Sequence, residues 1–176
     1  MLAYQLFLDF SKNSYGVDMY KVVILGDASV GKTSLILSYM GKGVAKRPTV
    51  GIEIHNIQTQ DDKNIVIWDL SGQGKFRTVL EPYLKGANLY ILVFDLTRKK
   101  TLDSLVEWAK IINEISGEAK VIIVGNKKDL DNRIPNDEVQ RVLNQLKLNI
   151  IKYVETSALT GENIRELIND IIHVIK

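Results

Sequence analysis

The most informative stretch of the sequence is Gly26-Asp27-Ala28-Ser29-Val30-Gly31-Lys32-Thr33, which matches the pattern G-x-x-x-x-G-K-[ST]. An apolar run precedes it and a helical pattern follows it. Its two glycines let the backbone turn tightly and aim N–H groups inward, and the following helix adds its positive end. Lys32 supplies a cation to the β- and γ-phosphates, while the Thr33 hydroxyl can ligate Mg²⁺. Together with Ser34, the stretch predicts a polyphosphate site; the alternative is a glycine turn that serves only topology.

A second motif, Asn126-Lys127-Lys128-Asp129, directly follows an apolar run, where sheets of this kind bind ligands. The Asp129 carboxylate can accept hydrogen bonds from the N1–H and the exocyclic amine of guanine, whereas adenine presents an acceptor at ring N1. A mismatch of this type discriminates by roughly 10⁴-fold. Lys127 can lay its aliphatic stem along the purine, and Asn126 can tie this loop to the phosphate loop. A solvated charged turn is the alternative interpretation.

The segment Thr156-Ser157-Ala158-Leu159 follows the last apolar run and completes the predicted base site. We expect backbone N–H groups of residues 156–158 to donate to the guanine oxygen, with Leu159 also contacting the ligand. Kinases, ATPases and GTPases all share the phosphate loop, so that loop alone does not name the reaction. The base site narrows the predicted ligand to GTP and GDP.

Two further segments predict a response to the γ-phosphate. In Asp69-Leu70-Ser71-Gly72-Gln73, Asp69 can hold Mg²⁺ through water, the Gly72 N–H can meet the γ-phosphate, and Gln73 can orient the attacking water. Thr49, in the loop after the phosphate-loop helix, can complete the metal shell when a triphosphate is bound; alone, it would pass for an ordinary strand-entry residue. Loss of the γ-phosphate would then release both loops, which is a molecular switch.

These residues are positioned by six apolar runs that alternate with helical patterns, as in a doubly wound α/β domain. Strands are predicted over residues 20–26, 51–58, 63–70, 88–95, 119–125 and 150–155. Asp61-Asp62 predicts a tight hairpin and hence one antiparallel edge strand on an otherwise parallel sheet. Apolar residues at three- and four-residue steps predict helices after Thr101, taken as a cap, around Val139 to Leu146, and at the C-terminal end.

Composition excludes several other classes of protein. The 176 residues suit one domain, and a net charge of +2 is too small to argue for nucleic acid or an anionic membrane. The absence of cysteine excludes disulfides, thiolate metal sites, prenylation and palmitoylation of this chain. We expect a cytoplasmic monomer without a lipid anchor. Residues 1–19 form an extension, either a packing arm or an amphipathic segment, and membrane contact would occur only through residues 1–12 or a partner.

The motifs occur in an order along residues 20–176 that resembles a Ras-superfamily small GTPase, nearest the Rab-like branch. The resemblance rests on Ile67-Trp68-Asp69, on Ser71-Gly72-Gln73-Gly74-Lys75-Phe76-Arg77-Thr78 and on Ser157-Ala158-Leu159-Thr160-Gly161-Glu162-Asn163. It implies a P-loop NTPase fold, a three-layer α/β sandwich with a mostly parallel six-stranded sheet and about five helices. It also implies Mg²⁺-dependent GTP hydrolysis, with Gln73, Lys32 and Gly72 as the catalytic residues, and partners that include effectors, exchange factors and GTPase-activating proteins.

The chain departs from this family pattern at several positions. Between Ser34 and Pro48 the only aromatic residue is Tyr39, on the predicted first helix, so we expect looser purine binding and faster nucleotide exchange. Ala28 replaces a glycine or serine common in relatives and would crowd an incoming arginine finger, which predicts slow turnover. Gly74 follows the glutamine where an acidic residue is common, which predicts a looser second switch.

Three alternatives remain open from the residues alone. Lys46 or Arg47 could reach the γ-phosphate in cis, instead of serving as a solvated or effector-facing charge. A GTP-gated scaffold with little hydrolysis would share every binding motif. A P-loop kinase is disfavoured because no helical lid with clustered arginines is evident in the sequence.

Overall fold

The computed structural model describes residues 19–59, 64–72 and 81–175. Predictions for residues 1–18, the turn at 61–62, Gln73 and Gly74 lie outside these ranges. The strands are β1 (Met19–Leu25), β2 (Ile52–Gln58), β3 (Asn64–Leu70), β4 (Leu89–Asp95), β5 (Lys120–Asn126) and β6 (Asn149–Glu155). The helices are α1 (Lys32–Tyr39), α2 (Glu81–Leu84), α3 (Lys99–Asp103), α4 (Leu105–Ser116), α5 (Asn136–Leu143) and α6 (Ile164–Val174). Each strand lies within one residue of its predicted bounds at both ends.

The six strands form one sheet in the order β2-β3-β1-β4-β5-β6. Only β2 runs antiparallel to its neighbour, with Ile52 opposite Leu70 and Gln58 opposite Asn64. The other neighbouring pairs are parallel. The predicted mixed sheet with one antiparallel edge strand is therefore confirmed, and the carboxyl ends of the parallel strands meet at one edge, where such sheets bind ligands.

Helices cover both faces of the sheet. Every residue of β4 is buried, as expected for a strand packed on both sides. Alternate β4 residues therefore enter two separate cores. One core contains apolar residues of α4 and α5, and the other contains those of α1 and α6. These three layers hold the ends of the parallel strands in fixed relative positions.

The helical predictions needed two corrections. Thr101 does not cap a helix, because α3 already begins at Lys99. The Thr101 hydroxyl lies within hydrogen-bond distance of the Arg98 carbonyl at 2.7 Å and accepts from the Asp95 N–H at 3.0 Å. Leu146 is buried but lies beyond the end of α5. Only Ser104 separates α3 from α4, so the described residues contain five helices when that pair is taken as one interrupted helix.

No described helix is both long enough and apolar enough to cross a bilayer. The described helices are at most twelve residues long, whereas a spanning helix needs about 20 apolar residues. Their apolar faces are instead used in the two cores, as the burial of Ile164, Leu167, Ile168 and Ile171 in α6 shows.

Lys21 is an unusual member of β1, because its side chain has no exposed surface. Its ammonium group donates to the Lys85 carbonyl at 2.7 Å and lies 4.5 Å from the centre of the Trp68 ring. Burial lowers the pKa of Lys21 from 10.5 to about 8. The folded protein thus binds this proton more weakly than the unfolded chain does.

We expect wild type to gain stability over the Lys21→Met variant as pH rises. Between pH 8 and 10.5 the unfolded chain holds the Lys21 proton and the folded protein does not, so the free energy of unfolding rises by up to about 3 kcal/mol. Denaturant titrations at several pH values measure the difference between the two proteins. Lys42→Met, at an exposed lysine, is the control. A difference that stays constant over this range would contradict the assignment.

Candidate functional site

The loops at the carboxyl edge of the sheet enclose a cavity of about 440 Å³. This volume lies within the range of small-ligand sites, about 300–1,000 Å³. The cavity is lined by residues from the phosphate loop, the loop after α1, the end of β3, and the loops after β5 and β6. Those lining residues are Ala28, Ser29, Gly31, Lys32, Thr33, Ser34, Val44, Ala45, Lys46, Arg47, Pro48, Thr49, Ser71, Gly72, Asn126, Lys127, Asp129, Leu130, Ala158 and Leu159.

The loop from β1 to α1 adopts a backbone that requires its glycines. Gly26 has a φ of 142°, and a Cβ there would lie 2.1 Å from the Val93 carbonyl oxygen. Gly31 has a φ of 103°, and a Cβ there would lie 2.2 Å from the Asn126 side-chain nitrogen. Ser29 takes a positive φ of 61° between them. The loop is therefore packed tightly against β4 on one side and against the Asn126 loop on the other.

Lys32 places a buried cation at this loop. Its ammonium group donates to the carbonyls of Gly26 at 2.9 Å and Asp27 at 3.0 Å. Burial lowers the pKa of Lys32 to about 8, although the charges of Asp69 and Asp27 act in the opposite direction. Helix α1 begins at Lys32, with no acidic residue in its first turn and no side-chain cap. The cation and the positive helix end together favour an anionic ligand.

Three side-chain oxygens converge beside Lys32. The Thr33 hydroxyl donates to Asp69 Oδ2, and it lies 2.7 Å from the Thr49 hydroxyl, which is 3.4 Å from the same carboxylate oxygen. Asp69 is fully buried, and that burial raises its pKa, against the lowering effects of Thr33 and Lys32. An all-oxygen set of two hydroxyls and one carboxylate suits Mg²⁺, a hard cation. These three residues, predicted separately from sequence, are brought together.

Gly72 lies directly against the phosphate loop. A Cβ at this position would come within 2.3 Å of the Asp27 carbonyl carbon and 2.4 Å of the Gly26 carbonyl oxygen. The neighbouring Ser71 N–H donates to the Gly51 carbonyl at 2.9 Å, which joins the end of β3 to the loop before β2. Gly72, which the sequence predicts to contact the γ-phosphate, thus lies against the phosphate loop. Gln73, the predicted water-orienting residue, lies outside the described residues.

Asn126 connects the base side of the cavity to the phosphate side. Its amide nitrogen donates to the Val30 carbonyl at 2.9 Å, directly beside Gly31. Its amide oxygen accepts from the Thr156 hydroxyl at 3.2 Å and from the Ala158 N–H at 3.1 Å. A single buried side chain therefore joins three loops, in agreement with the expectation that Asn126 ties its loop to the phosphate loop.

Asp129 and Lys127 are held in place by other side chains. The Ser157 hydroxyl donates to Asp129 Oδ1 at 2.5 Å, and the second oxygen of this carboxylate makes no hydrogen bond to the described part of the chain. The Lys127 ammonium lies 2.6 Å from Asp95 Oδ2, and Lys127 lines the cavity. Lys127 also has a φ of 70°. Both residues line the same cavity as Lys32.

The predicted backbone donors after β6 make hydrogen bonds within the protein. The N–H groups of Thr156, Ser157 and Ala158 donate within the protein, to the Gly125 carbonyl, the Glu162 carbonyl and Asn126 Oδ1. They are therefore used to build the loop. Leu159, the next residue, is exposed and lines the cavity, and its N–H makes no hydrogen bond to the described part of the chain.

Sequence reasoning missed a buried carboxylate at the end of β4. Asp95 accepts from the Thr97 backbone and hydroxyl, from Arg98 Nε at 2.8 Å and from Lys127. Burial alone would raise the pKa of Asp95, but these contacts outweigh burial and lower it. Arg98 also reaches the Ala28 carbonyl at 3.2 Å. Its position in the sequence could have identified it, because Asp95 ends a parallel strand just as Asn126 does.

The loop between α1 and β2 contributes no aromatic ring to the cavity. Among the described residues, its lining here consists of residues 44–49, of which Val44, Ala45 and Pro48 are the apolar ones. Tyr39 is the last residue of α1, as predicted, and does not line the cavity. Lys46 and Arg47 both line it, so the alternative of a basic residue acting in cis is sterically open.

Comparison with known proteins gives one consistent result. Residues 21–176 match the protein-family model described as the Ras family. The chain is 33% identical to Ras-related protein Rab-3 of Caenorhabditis elegans over 166 residues, covering 89% of this chain and 74% of that protein. It is 32% identical to Ras-related protein SEC4 of Saccharomyces cerevisiae over 155 residues, covering 84% and 70%. Ras-related protein RABC2a of Arabidopsis thaliana is also 32% identical, with coverage of 92% and 80%.

We expect Gly31→Ala to weaken GDP binding by at least about 100-fold, because its Cβ would displace Asn126 and break the link to Val30. Gly41→Ala is the matched control, since Gly41 also has a positive φ, 69°, but has open space around it. That control should cost only about 1–2 kcal/mol of stability. Titration of fluorescent GDP measures both variants. Equal GDP affinity in the two variants would show that the clash with Asn126 does not affect nucleotide binding.

Proposed function

The chain belongs to the Ras family and is a small GTPase, and from this premise we propose that it is a magnesium-dependent molecular switch that binds GTP and GDP and slowly hydrolyses GTP. The observation that supports the proposal best is the pair of opposite charges on one cavity. Lys32 and the start of α1 line one part, and the Asp129 carboxylate lines another. A polyphosphate attached to a guanine ring has complementary groups at its two ends.

Guanine selectivity follows from the free oxygen of Asp129. A carboxylate is an acceptor only, so it pairs with the N1–H and exocyclic amine of guanine and faces another acceptor in adenine. Ser157 fixes the orientation of this carboxylate, and the N–H of Leu159, which lines the same cavity, would donate to the guanine oxygen. Because selection would rest on hydrogen bonds, a bound base that lacks them would leave these groups without partners.

Hydrolysis would proceed by in-line attack of water on the γ-phosphorus. The new bond joins the water oxygen to phosphorus, the bond to the β–γ bridging oxygen breaks, and the water proton passes to the released phosphate. Lys32 and the Gly72 N–H stabilise the charge on the phosphoryl oxygens, and Gln73 orients the water. Mg²⁺ held by Thr33, Thr49 and Asp69 would neutralise phosphate charge. Without an activating protein the rate would be slow, about 10⁻⁴ s⁻¹ as in Ras.

The switch would depend on Thr49. Its hydroxyl lies between the Thr33 hydroxyl and the Asp69 carboxylate, so its loop approaches the metal residues of the phosphate loop and of β3. A bound triphosphate would hold this loop and Gly72 together, and hydrolysis would release both. Effectors would bind the held form, while exchange factors and GTPase-activating proteins would set its lifetime. Identifying the nucleotide bound to purified protein, then timing phosphate release with and without Mg²⁺, tests the proposal.

Asp129→Asn should change the base that the protein selects. Asparagine still accepts from N1–H, but its amide nitrogen donates, so it repels the guanine exocyclic amine and matches the C2 oxygen of xanthine. We expect roughly 10⁴-fold weaker GDP binding and a gain in XDP binding. Asp131→Asn, an exposed carboxylate in the same loop, is the control and should leave GDP binding unchanged. Preference for GDP retained by Asp129→Asn would contradict the assignment.

Gln73→Leu separates a hydrolysing switch from a GTP-gated scaffold. If Gln73 orients the attacking water, single-turnover phosphate release should fall by at least about tenfold while GTP affinity stays within threefold. A scaffold would show the same slow release in both proteins. Gln140→Leu, at an exposed position in α5, controls for the general effect of the substitution. Unchanged release from Gln73→Leu would favour the scaffold.

A further inference from the structure

Three metal-ligating side chains meet on the face of the sheet that packs against α1. Glu53 and His55 are two residues apart in β2 and therefore point to the same face, and Glu53 lies directly opposite Asp69 in β3. One potential ligand atom from each of the three lies within 4.8 Å of the other two. The set contains one imidazole nitrogen and two carboxylates.

Two atoms in this set have no hydrogen-bond partner among the residues that the structure describes. Asp69 is fully buried, and while its Oδ2 contacts the hydroxyls of Thr33 and Thr49, its Oδ1 bonds to nothing in the described part of the chain. His55 Nε2 is buried and equally unpartnered among those residues, and it lies 3.7 Å from Glu53 Oε2, beyond hydrogen-bond distance. Buried polar atoms are rarely left unsatisfied, because each costs about 1–3 kcal/mol.

We propose that Glu53, His55 and Asp69 form a second cation site for a transition-metal ion, with Zn²⁺ the ion that suits it best. One imidazole with two carboxylates is a donor set of borderline softness, which favours Zn²⁺ over Mg²⁺. Mg²⁺ prefers oxygen ligands, and the hydroxyl side of Asp69 already offers them. Three protein ligands leave a fourth position for water, and the Glu53 side chain, 48% exposed, gives the ion access from solvent.

The site would make Asp69 a bridge between two cations. Its Oδ2 faces the hydroxyls predicted to hold Mg²⁺, which leaves Oδ1 for the second ion. A bound Zn²⁺ would join β2 to the end of β3. Its first ligand in the chain, Glu53, lies only four residues after Thr49. The proposal does not depend on GTP hydrolysis, and metal binding can be measured directly. Its rival is a cluster without metal, in which a protonated His55 lies between the two carboxylates.

The test is calorimetric titration of Zn²⁺ into the full chain as purified, treated with chelator and kept in millimolar Mg²⁺. Wild type should bind one equivalent that excess Mg²⁺ does not displace. His55→Gln should weaken this binding by more than the 10- to 100-fold typical of losing an outer-shell partner. Glu53→Gln, at a side chain that is 48% exposed, should weaken it as well. Thermal unfolding without Zn²⁺ checks that both variants fold.

His173→Gln is the matched control, because the chain has only two histidines and no cysteine. His173 is exposed on α6 and bonds to the Asn169 carbonyl, so its loss should leave Zn²⁺ binding unchanged. Three results would overturn the proposal: no Zn²⁺ binding by wild type, equal binding by His55→Gln, or binding that excess Mg²⁺ abolishes. Zn²⁺ binding that excess Mg²⁺ abolishes would indicate that Zn²⁺ binds beside the Thr33 and Thr49 hydroxyls, at Asp69 Oδ2.

Discussion

The hydrogen bond from Asn126 to the Val30 carbonyl is the contact on which the rest of the site depends. It exists because Gly31 has no Cβ, so the side chain of one loop can reach the backbone of another. The same amide also holds Thr156 and Ala158, and through them the loop after β6. Affinity for a long ligand requires both ends of its site to be fixed relative to each other, and this one amide supplies that connection.

Two buried charges near the cavity differ in their surroundings. Among the described residues, the Lys32 ammonium has hydrogen-bond partners only in the Gly26 and Asp27 carbonyls, which is a costly environment for a buried cation. Asp95 has the opposite situation, since cations and donors surround it and stabilise its charge. It therefore acts as an anchor for Lys127 and Arg98. A buried charge without a full partner marks a place for a ligand, whereas a fully paired one marks structural support.

The sequence was sufficient wherever a signal was local. Short apolar runs located all six strands to within one residue, and the phosphate-loop and base motifs identified most of the cavity. It was insufficient where contacts join distant segments. The bond from Trp108 to Asp27 spans 81 residues, and no spacing rule indicates it. The internal use of the Ser157 and Ala158 amides also depends on Asn126 and Glu162, which only the folded loop brings close.

The antiparallel edge strand explains why two different sites share Asp69. Pairing of β2 with β3 places Glu53 opposite Asp69, and because side chains alternate, Glu53 and His55 join Asp69 on one face. A slip of one residue would send both to the opposite face. The same register sets how far the preceding loop must reach for Thr49 to contact Thr33. The position of β2 therefore sets where Glu53, His55 and Thr49 lie relative to the one buried carboxylate of Asp69.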